Sequence, residues 1–370
     1  YIAMVLLHNF KNKINNDKNH QFHTKLISEF NIIHNKKQLA YLQTLPTQIQ
    51  GSDIWLGFRK TALTASNIIK IIFGSTRDKI KIILDKCNPV YKSIYAPAMQ
   101  HGKQYEEVGN SIFQLRSNRK VYEFGCLRHP LFNFLAASPD GIDDLGEMLE
   151  IKMPYTRLPH EIPKKDYYFQ MQLQLEVCDL DVCNFLECIV KEYDSFADYC
   201  KDININGPNE TDKLCYTAKG LEKGVILEGK SFENLYFVYK YCPLNTLPEN
   251  IDQWIKQETQ NMLDEAKASS HDYSDFVIRP VYWYLKTYSC IKVYKDSNWI
   301  TKYIADFHTF WRTVEYYKKH GTKPLEEFLL TGKSSCLPTY PGILTFPNMT
   351  IRKSKNYFST QSTNVCMIDS

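Results

Sequence analysis

The sequence predicts an α/β fold in which a mixed sheet is flanked by helices, and three observations carry that prediction. Between residues 51 and about 200 the apolar periodicity runs helix, helix, strands, helix, strand, the order expected for such a sheet. Residues 97 to 114 hold Tyr105, Val108, Ile112 and Phe113 as an apolar stripe at helical spacing. Met148 to Met153 alternates instead: Leu149 and Ile151 point into a core while Glu150 and Lys152, two apart, share the opposite face.

Each element follows from local signals. Residues 1–50, rich in Asn, Lys, His and Ile, read as an N-terminal helical extension ahead of a core spanning 51–200. Thr64 or Ser66 is expected to cap the helix entered by Asn67 to Ile72, and a helix start is itself an anion site. On the helix from Pro97 to Gln114, Glu106 reaches inward beside the apolar stripe and Glu107 is expected in solvent. Phe132 to Ala137 reads as a buried strand, and Pro139, Gly141 and the Asp143-Asp144 pair as its turn back, so the hairpin brings Asp140 beside Glu150. Tyr167, Gln170 and Gln174 fall at i, i+3 and i+7 and share one helix face, from which Gln172 points away.

Asp181 to Val190 reads as an alternating strand, and 201–230, polar with several Gly, as a loop or insertion. Residues 231–345 complete the domain with a strand over Phe232 to Tyr241, a helix over Asn250 to His271, strand-like alternation over 276–295 and a helix over Trp299 to His320. The aromatic stripe of that last helix reads as core packing, and 346–370 as a tail.

Composition narrows the class. With 370 residues, 44% hydrophobic and 14% aromatic, the chain can bury a large core and is not a disordered segment. Its 45 basic residues face 41 acidic ones for a net charge of +4, so any affinity for nucleic acid has to come from a local basic channel. No run reaches the roughly 18 apolar residues of a membrane span, and a secretory leader pattern is absent, which reads as an intracellular protein. Eleven cysteines without paired spacings read as reduced thiols; Cys178, Cys183 and Cys188, at i, i+5 and i+10, match no zinc pattern. The Lys, Asn, Ile and Tyr usage suits an A+T-rich genome, as in a large DNA virus or a virus-derived gene.

Asp140, Glu150 and Lys152 form the minimal kit for metal-assisted phosphodiester hydrolysis. Carboxylate oxygens suit Mg²⁺ or Mn²⁺, and a lysine beside them can orient water or offset charge on the scissile phosphate. Taken alone the same residues also describe a surface hairpin with solvated charges. Arg59 adds a planar fork suited to bidentate phosphate contact, and Ser66 a hydroxyl.

Four blocks in order resemble the lambda-type exonucleases, the YqaJ-like viral recombinase family of the PD-(D/E)xK nuclease superfamily. They are Trp55 to Ser66 with Arg59 and Thr64-Ala65-Ser66; His101-Gly102 to Glu106; Ser138-Pro139-Asp140-Gly141 with Leu149-Glu150-Ile151-Lys152 and Pro154; and Tyr167 to Gln172. The resemblance covers Trp55 to about Val190 and rests on order and spacing. Family members often carry Cys or Ser before the proline and an Arg a few residues beyond, where this chain has Met153 and Arg157, so no phosphate contact is assigned to Arg157.

The resemblance implies a restriction-endonuclease-like core with N- and C-terminal extensions, acting as a Mg²⁺- or Mn²⁺-dependent exonuclease. Asp140, Glu150 and the Ile151 carbonyl would hold metal; Lys152, Glu106 and Gln170 would serve the water; Arg59, Ser66 and Tyr167 would meet the substrate. It further implies double-stranded DNA ends as substrate, 5′-to-3′ polarity, a role in recombination, repair or viral genome processing, a single-strand annealing partner, a ring trimer, and a site of action in the nucleus or cytoplasm of an infected cell. A structure- or sequence-specific endonuclease of the same superfamily is the alternative, though it has no need of a terminal-phosphate block at Arg59 and Ser66. A catalytically inactive DNA-end-binding module is the third reading, against which the clustered carboxylates count, since they repel DNA.

Overall fold

The computed structural model describes residues 17–88, 96–155, 157–159, 162–231, 236–268, 275–332 and 343–344. A small sheet orders β1 (Leu63–Thr64), β4 (Leu135–Ala137) and β3 (Leu127–Arg128). The main sheet of the described residues runs β2 (Val121–Tyr122), β5 (Gly141–Asp143), β6 (Met148–Lys152), β7 (Val182–Glu192), β10 (Val277–Tyr294), β8 (Lys223–Ser231) and β9 (Tyr236–Tyr241). β6 and β7 are parallel and the remaining pairs antiparallel, so the sheet is mixed, as the sequence predicts.

Helices α1 (Asp17–Thr44), α2 (Asp53–Arg59), α3 (Ile68–Phe73) and α4 (Thr76–Cys87) precede α5 (Pro97–Ser117) and α6 (Lys165–Cys178). Then come α7 (Phe196–Lys201), α8 (Glu210–Leu214), α9 (Pro248–Ala268), α10 (Trp299–His320) and α11 (Lys323–Thr331). One sheet face packs Leu149, Ile151 and Leu186 against Tyr105, Val108 and Ile112 of α5. The other packs Met148, Cys183, Phe185 and Ile291 beneath α6, α3 and α10. Gly109 lets α5 approach β6 closely: a Cβ there would lie 2.9 Å from Ile151 Cγ2 and 3.2 Å from Met153 Sδ.

Several local expectations are corrected. β4 pairs with β1 and β3, not with the strand of Glu150; the hairpin partner of β6 is β5, and the turn sits at Asp144 to Gly146, where Gly146 adopts φ 76°. Pro139 and Asp140 are the crossing between sheets. β7 does not alternate: its first nine residues are all buried, because helices cover both faces of this central strand. The stretch read as a loop at 201–230 contains α8 and most of β8. Residues 277–294 form one bent strand with an irregularity between Leu285 and Thr287, its first part pairing β8 and its second β7.

Neither Thr64 nor Ser66 caps a helix through its side chain, and α3 is only six residues long. The aromatic stripe of α10 is core, with Phe307, Phe310 and Val314 buried. Cys178, Cys183 and Cys188 are buried free thiols whose acidity is suppressed by burial. Among the described residues no helix is long and apolar enough to cross a membrane. Residues 1–16 and the tail 346–370 lie outside the described residues.

Candidate active site

The alternation of β6 places Glu150 and Lys152 on the α6 side, but that side is not open. Glu150 has no exposed surface, and α6 lies across it. Gln170 Nε2 donates to Glu150 Oε1 at 2.6 Å, Gln174 Nε2 donates to Oε2 at 2.7 Å, and Lys152 Nζ donates to Oε1. A helical face of one Gln every four residues thus meets a single strand carboxylate. Asp140, just before β5, accepts the backbone N–H of Ile151 at 2.7 Å, which ties the sheet crossing to β6. Glu106 comes from α5 on the other side. Asp140, Ile151 and Glu106 all line one cavity of about 990 Å³.

The charges here are crowded. Burial holds the Asp140 carboxyl well above its ordinary range, and the Glu150 and Glu106 charges push it further, against Lys152. Glu106 is raised by burial and by Glu150, with Lys152 opposing. Burial works against the Lys152 ammonium, yet Glu150 and Asp140 hold it above its usual value. Three carboxylates around one ammonium leave a surplus of negative charge that a second cation would relieve.

The donor set decides which cation fits. Among the described residues no three His, Cys, Asp or Glu side chains close into a ready-made cage. The donors that reach the cavity belong to Asp140, Glu106 and Ile151, and Glu150 lies buried beside them with both carboxylate oxygens hydrogen-bonded. Such oxygen donors suit Mg²⁺ or Mn²⁺, which bind through one or two carboxylates and keep several waters. Asp140, Glu150 and the Ile151 carbonyl fit such an ion.

Trp55 and Arg59 of α2 line the same cavity. The Arg59 guanidinium lies 4.3 Å over the Trp55 indole and donates to Ser66 Oγ at 3.1 Å. Trp55 Nε1 donates to Ser138 Oγ at 3.1 Å, and Gln174 Nε2 also reaches the Ser138 carbonyl at 3.2 Å. Ser138 therefore joins the arginine block to the carboxylate block. The end of α2 is fastened from α4: Lys86 Nζ donates to the Arg59 carbonyl at 2.7 Å, and Lys86 is 4% exposed. Burial, reinforced by the Arg59 charge, lowers its ammonium to about 8.

Residues 54–181 match the model of the YqaJ-like viral recombinase domain. The chain carries a YqaJ-like domain. It is also similar to uncharacterized protein R354 of Acanthamoeba polyphaga mimivirus, 30% identical over 333 residues that cover 82% of this chain and 59% of that protein. The chain thus spans less than two thirds of its viral relative, whose source agrees with the genome type expected from composition. Among solved structures it is similar to an alkaline exonuclease from Laribacter hongkongensis, free and in complex with dAMP, each at 14% identity and TM-score 0.42, covering 75% of this chain and 100% of that one.

All the site residues named from sequence fall inside the YqaJ-like domain, and the fold gathers most of them. Asp140, Glu150, Lys152, Gln170 and Glu106 converge; Arg59, which lines the same cavity as Asp140 and Glu106, pairs with Ser66. Tyr167 turns away from it: its hydroxyl accepts from Arg157 at 3.3 Å and its ring lies between Lys152, at 5.4 Å, and Arg157, at 5.3 Å. Arg157 also donates to the buried Glu187, neighbour of Lys152 across the β6–β7 ladder. Glu107 is not simply solvated, since it lines the cavity and accepts from Asn110 at 3.1 Å. Gln172 does point elsewhere, bonding Tyr294 O and Asp296 N.

Sequence reading left Ser138 and Lys86 without roles, and placed Gln174 only on the helix face able to meet the site. Gln174 was legible from its helical spacing to Gln170. Lys86 carried a signal too, since it continues the buried Ile80 and Ile83 stripe of α4 where an apolar residue is expected.

Proposed function

We propose that the chain is a divalent-metal-dependent DNA exonuclease that acts at duplex ends and degrades one strand 5′ to 3′. One observation carries the reading: Asp140, Ile151 and Glu106, beside the buried Glu150–Lys152 pair, line the same cavity as Trp55 and Arg59. A hydrolytic centre and an anion fork a short span apart suit a strand terminus better than an internal site. Recombination, repair or processing of a viral genome is the corresponding task.

In this reading Asp140, Glu150 and the Ile151 carbonyl hold Mg²⁺ or Mn²⁺. When bound, the ion polarises the scissile phosphate and acidifies water. The chain's own residues do the rest. Lys152, anchored on Glu150 and flanked by the Tyr167 ring, donates a hydrogen bond to the attacking water or to the phosphate oxygens. Glu106 faces the same space and accepts a proton from that water's hydrogen-bonding network. Gln170 and Gln174 fix the Glu150 carboxylate so that it need not reorganise. Arg59, stacked on Trp55 and steadied by Ser66, offers its guanidinium charge to a terminal phosphate.

The test uses Mg²⁺ and linear duplexes bearing a 5′ phosphate or a 5′ hydroxyl, one strand labelled, beside closed circles and the Glu150→Ala variant. Faster loss of the phosphorylated strand from its 5′ end, absent in the variant and on circles, is expected. Cutting of circles would move the assignment to an endonuclease, and binding without cleavage to an inactive end-binding module. An annealing-protein partner and a ring trimer remain part of the proposal and are read by sedimentation with and without DNA.

A further inference from the structure

Lysines gather around the end of α2, where Arg59 stands. Lys86 Nζ of α4 donates to the Arg59 carbonyl at 2.7 Å, Lys318 Nζ of α10 to the Lys60 carbonyl at 3.3 Å, and Lys60 Nζ to the Asn88 carbonyl at 2.6 Å. Lys60 and Lys86 line the cavity beside Trp55 and Arg59. Depth sets Lys86 apart: Lys318 is exposed and Lys60 half-buried, but Lys86 is buried. Among the described residues its ammonium forms no ion pair with a carboxylate, and Asp85, one residue back on α4, is exposed and does not pair with it. Capping the last carbonyls of α2 needs only a donor, and burying an ammonium to supply one is costly. A methionine of similar volume would suit the apolar stripe that Lys86 continues.

We infer that Lys86 is the second cation of a terminal-phosphate site, its buried charge set behind the Arg59 fork to favour a dianionic 5′ phosphate over a phosphodiester or a hydroxyl end. The inference rests on the nuclease reading above, and specifically on the terminal-phosphate role of Arg59. A phosphate monoester carries about −1.5 to −2 charges at neutral pH, whereas each internal phosphodiester carries one. Arg59 alone answers the single charge. Lys86 adds another that solvent screens poorly, because it is buried. Asp140, Glu106, Glu107 and Glu123 line the same cavity and repel phosphate, which directs a dianion toward the α2 end. Burial and then the Arg59 charge disfavour the Lys86 ammonium, against Asp85, and a bound dianion relieves both. Lys86 touches the Arg59 backbone rather than the substrate, so it is a positioning residue.

The experiment measures kcat/KM in Mg²⁺ on linear duplexes ending in a 5′ phosphate, a 5′ methyl phosphate or a 5′ hydroxyl, for the unmodified chain, Lys86→Gln and Lys86→Met. Lys86→Gln keeps a donor for the Arg59 carbonyl and removes the charge; Lys86→Met removes both. The unmodified chain is expected to prefer the phosphate over its methyl ester. Both variants are expected to lose roughly 10- to 100-fold of that preference, the order for one charge-assisted interaction. A steric effect of the methyl group is common to all three proteins and cancels in the ratio. The melting temperature of Lys86→Met is expected not to fall, since a buried charge has been removed. Full preference in Lys86→Gln would overturn the inference and leave Lys86 a helix cap. So would a Lys86→Met protein that melts lower and cleaves all three duplexes less well by the same factor. The nuclease reading survives both of those results. If the unmodified chain cleaves but ignores the 5′ phosphate, the inference falls with the role of Arg59, and if it does not cleave, the nuclease reading falls as well.

Discussion

Gln174 and Gln172 sit two residues apart on α6, at 0% and 1% exposure, and their substitution separates the site from the scaffold. Gln174→Leu removes a 2.7 Å bond to a fully buried carboxylate oxygen and a 3.2 Å bond to Ser138 O. Water cannot reach Glu150 to replace them, so the loss of a charge-assisted bond costs about 2–3 kcal/mol. Gln172→Leu strips Tyr294 O and Asp296 N of their partners, at 2.9 and 2.8 Å, for roughly 1–3 kcal/mol. Urea denaturation should therefore find the two variants similarly destabilised. Their single-turnover cleavage rates should part: about 10- to 100-fold lower for Gln174→Leu, the range for losing a group that orients a ligand, and unchanged for Gln172→Leu. Equal rates in the two variants would refute the claim that Gln174 acts through Glu150.

Arg59→Ala is expected to abolish the preference for 5′-phosphorylated over 5′-hydroxyl duplexes, and Arg59→Lys to restore little of it, since an ammonium cannot form the bidentate contact; competition between the two duplexes reads this. Lys86 has a lowered folded-state value of about 8 against 10.5 in its ordinary state, so below pH 8 its buried charge destabilises the fold by up to about 3 kcal/mol. Between pH 8 and 10.5 the unfolded chain binds the extra proton, stability rises with pH, and Lys86→Met should flatten that rise in urea midpoints taken at pH 7, 8.5 and 10. Gly109→Ala should push α5 off Ile151 and Met153, lowering stability by about 1–3 kcal/mol and cleavage with it, as melting and rate measurements would show. Cys178, Cys183 and Cys188 should react with a thiol reagent only at the rate of unfolding, whereas fast labelling of any of them in the native protein would contradict their burial.

What the sequence disclosed, it disclosed through period. The two-residue alternation of Met148 to Lys152 and the spacing of Gln170 and Gln174 fixed which groups could face one another, and the fold brings them together. Period could not reveal depth. Glu150 reads on the chain as a solvent-facing charge, because nothing local tells that α6 will lie across it. Nor could it reveal which strands pair. The Phe132 to Ala137 run looks like a partner for β6, yet β4 joins a separate small sheet, and only the long-range register of β5 against β6 decides the hairpin. β8 was hidden by its glycines: Gly224 and Gly229 read as loop, but a Cβ at either would strike Trp283 or Met262 and Phe276, so they serve close packing. Lys86 and Ser138 were hidden for a different reason, since their partners lie 27 and 83 residues away.

The most direct test is release of acid-soluble nucleotides from a linear duplex by the unmodified chain and by Asp140→Asn, each in Mg²⁺ and in EDTA. Asp140→Asn keeps an acceptor for the Ile151 N–H and removes one charged ligand from the crowded site. Release by the unmodified chain in Mg²⁺ alone is the predicted result. Release in EDTA, or by Asp140→Asn at an undiminished rate, would contradict a metal-assisted centre built on these carboxylates.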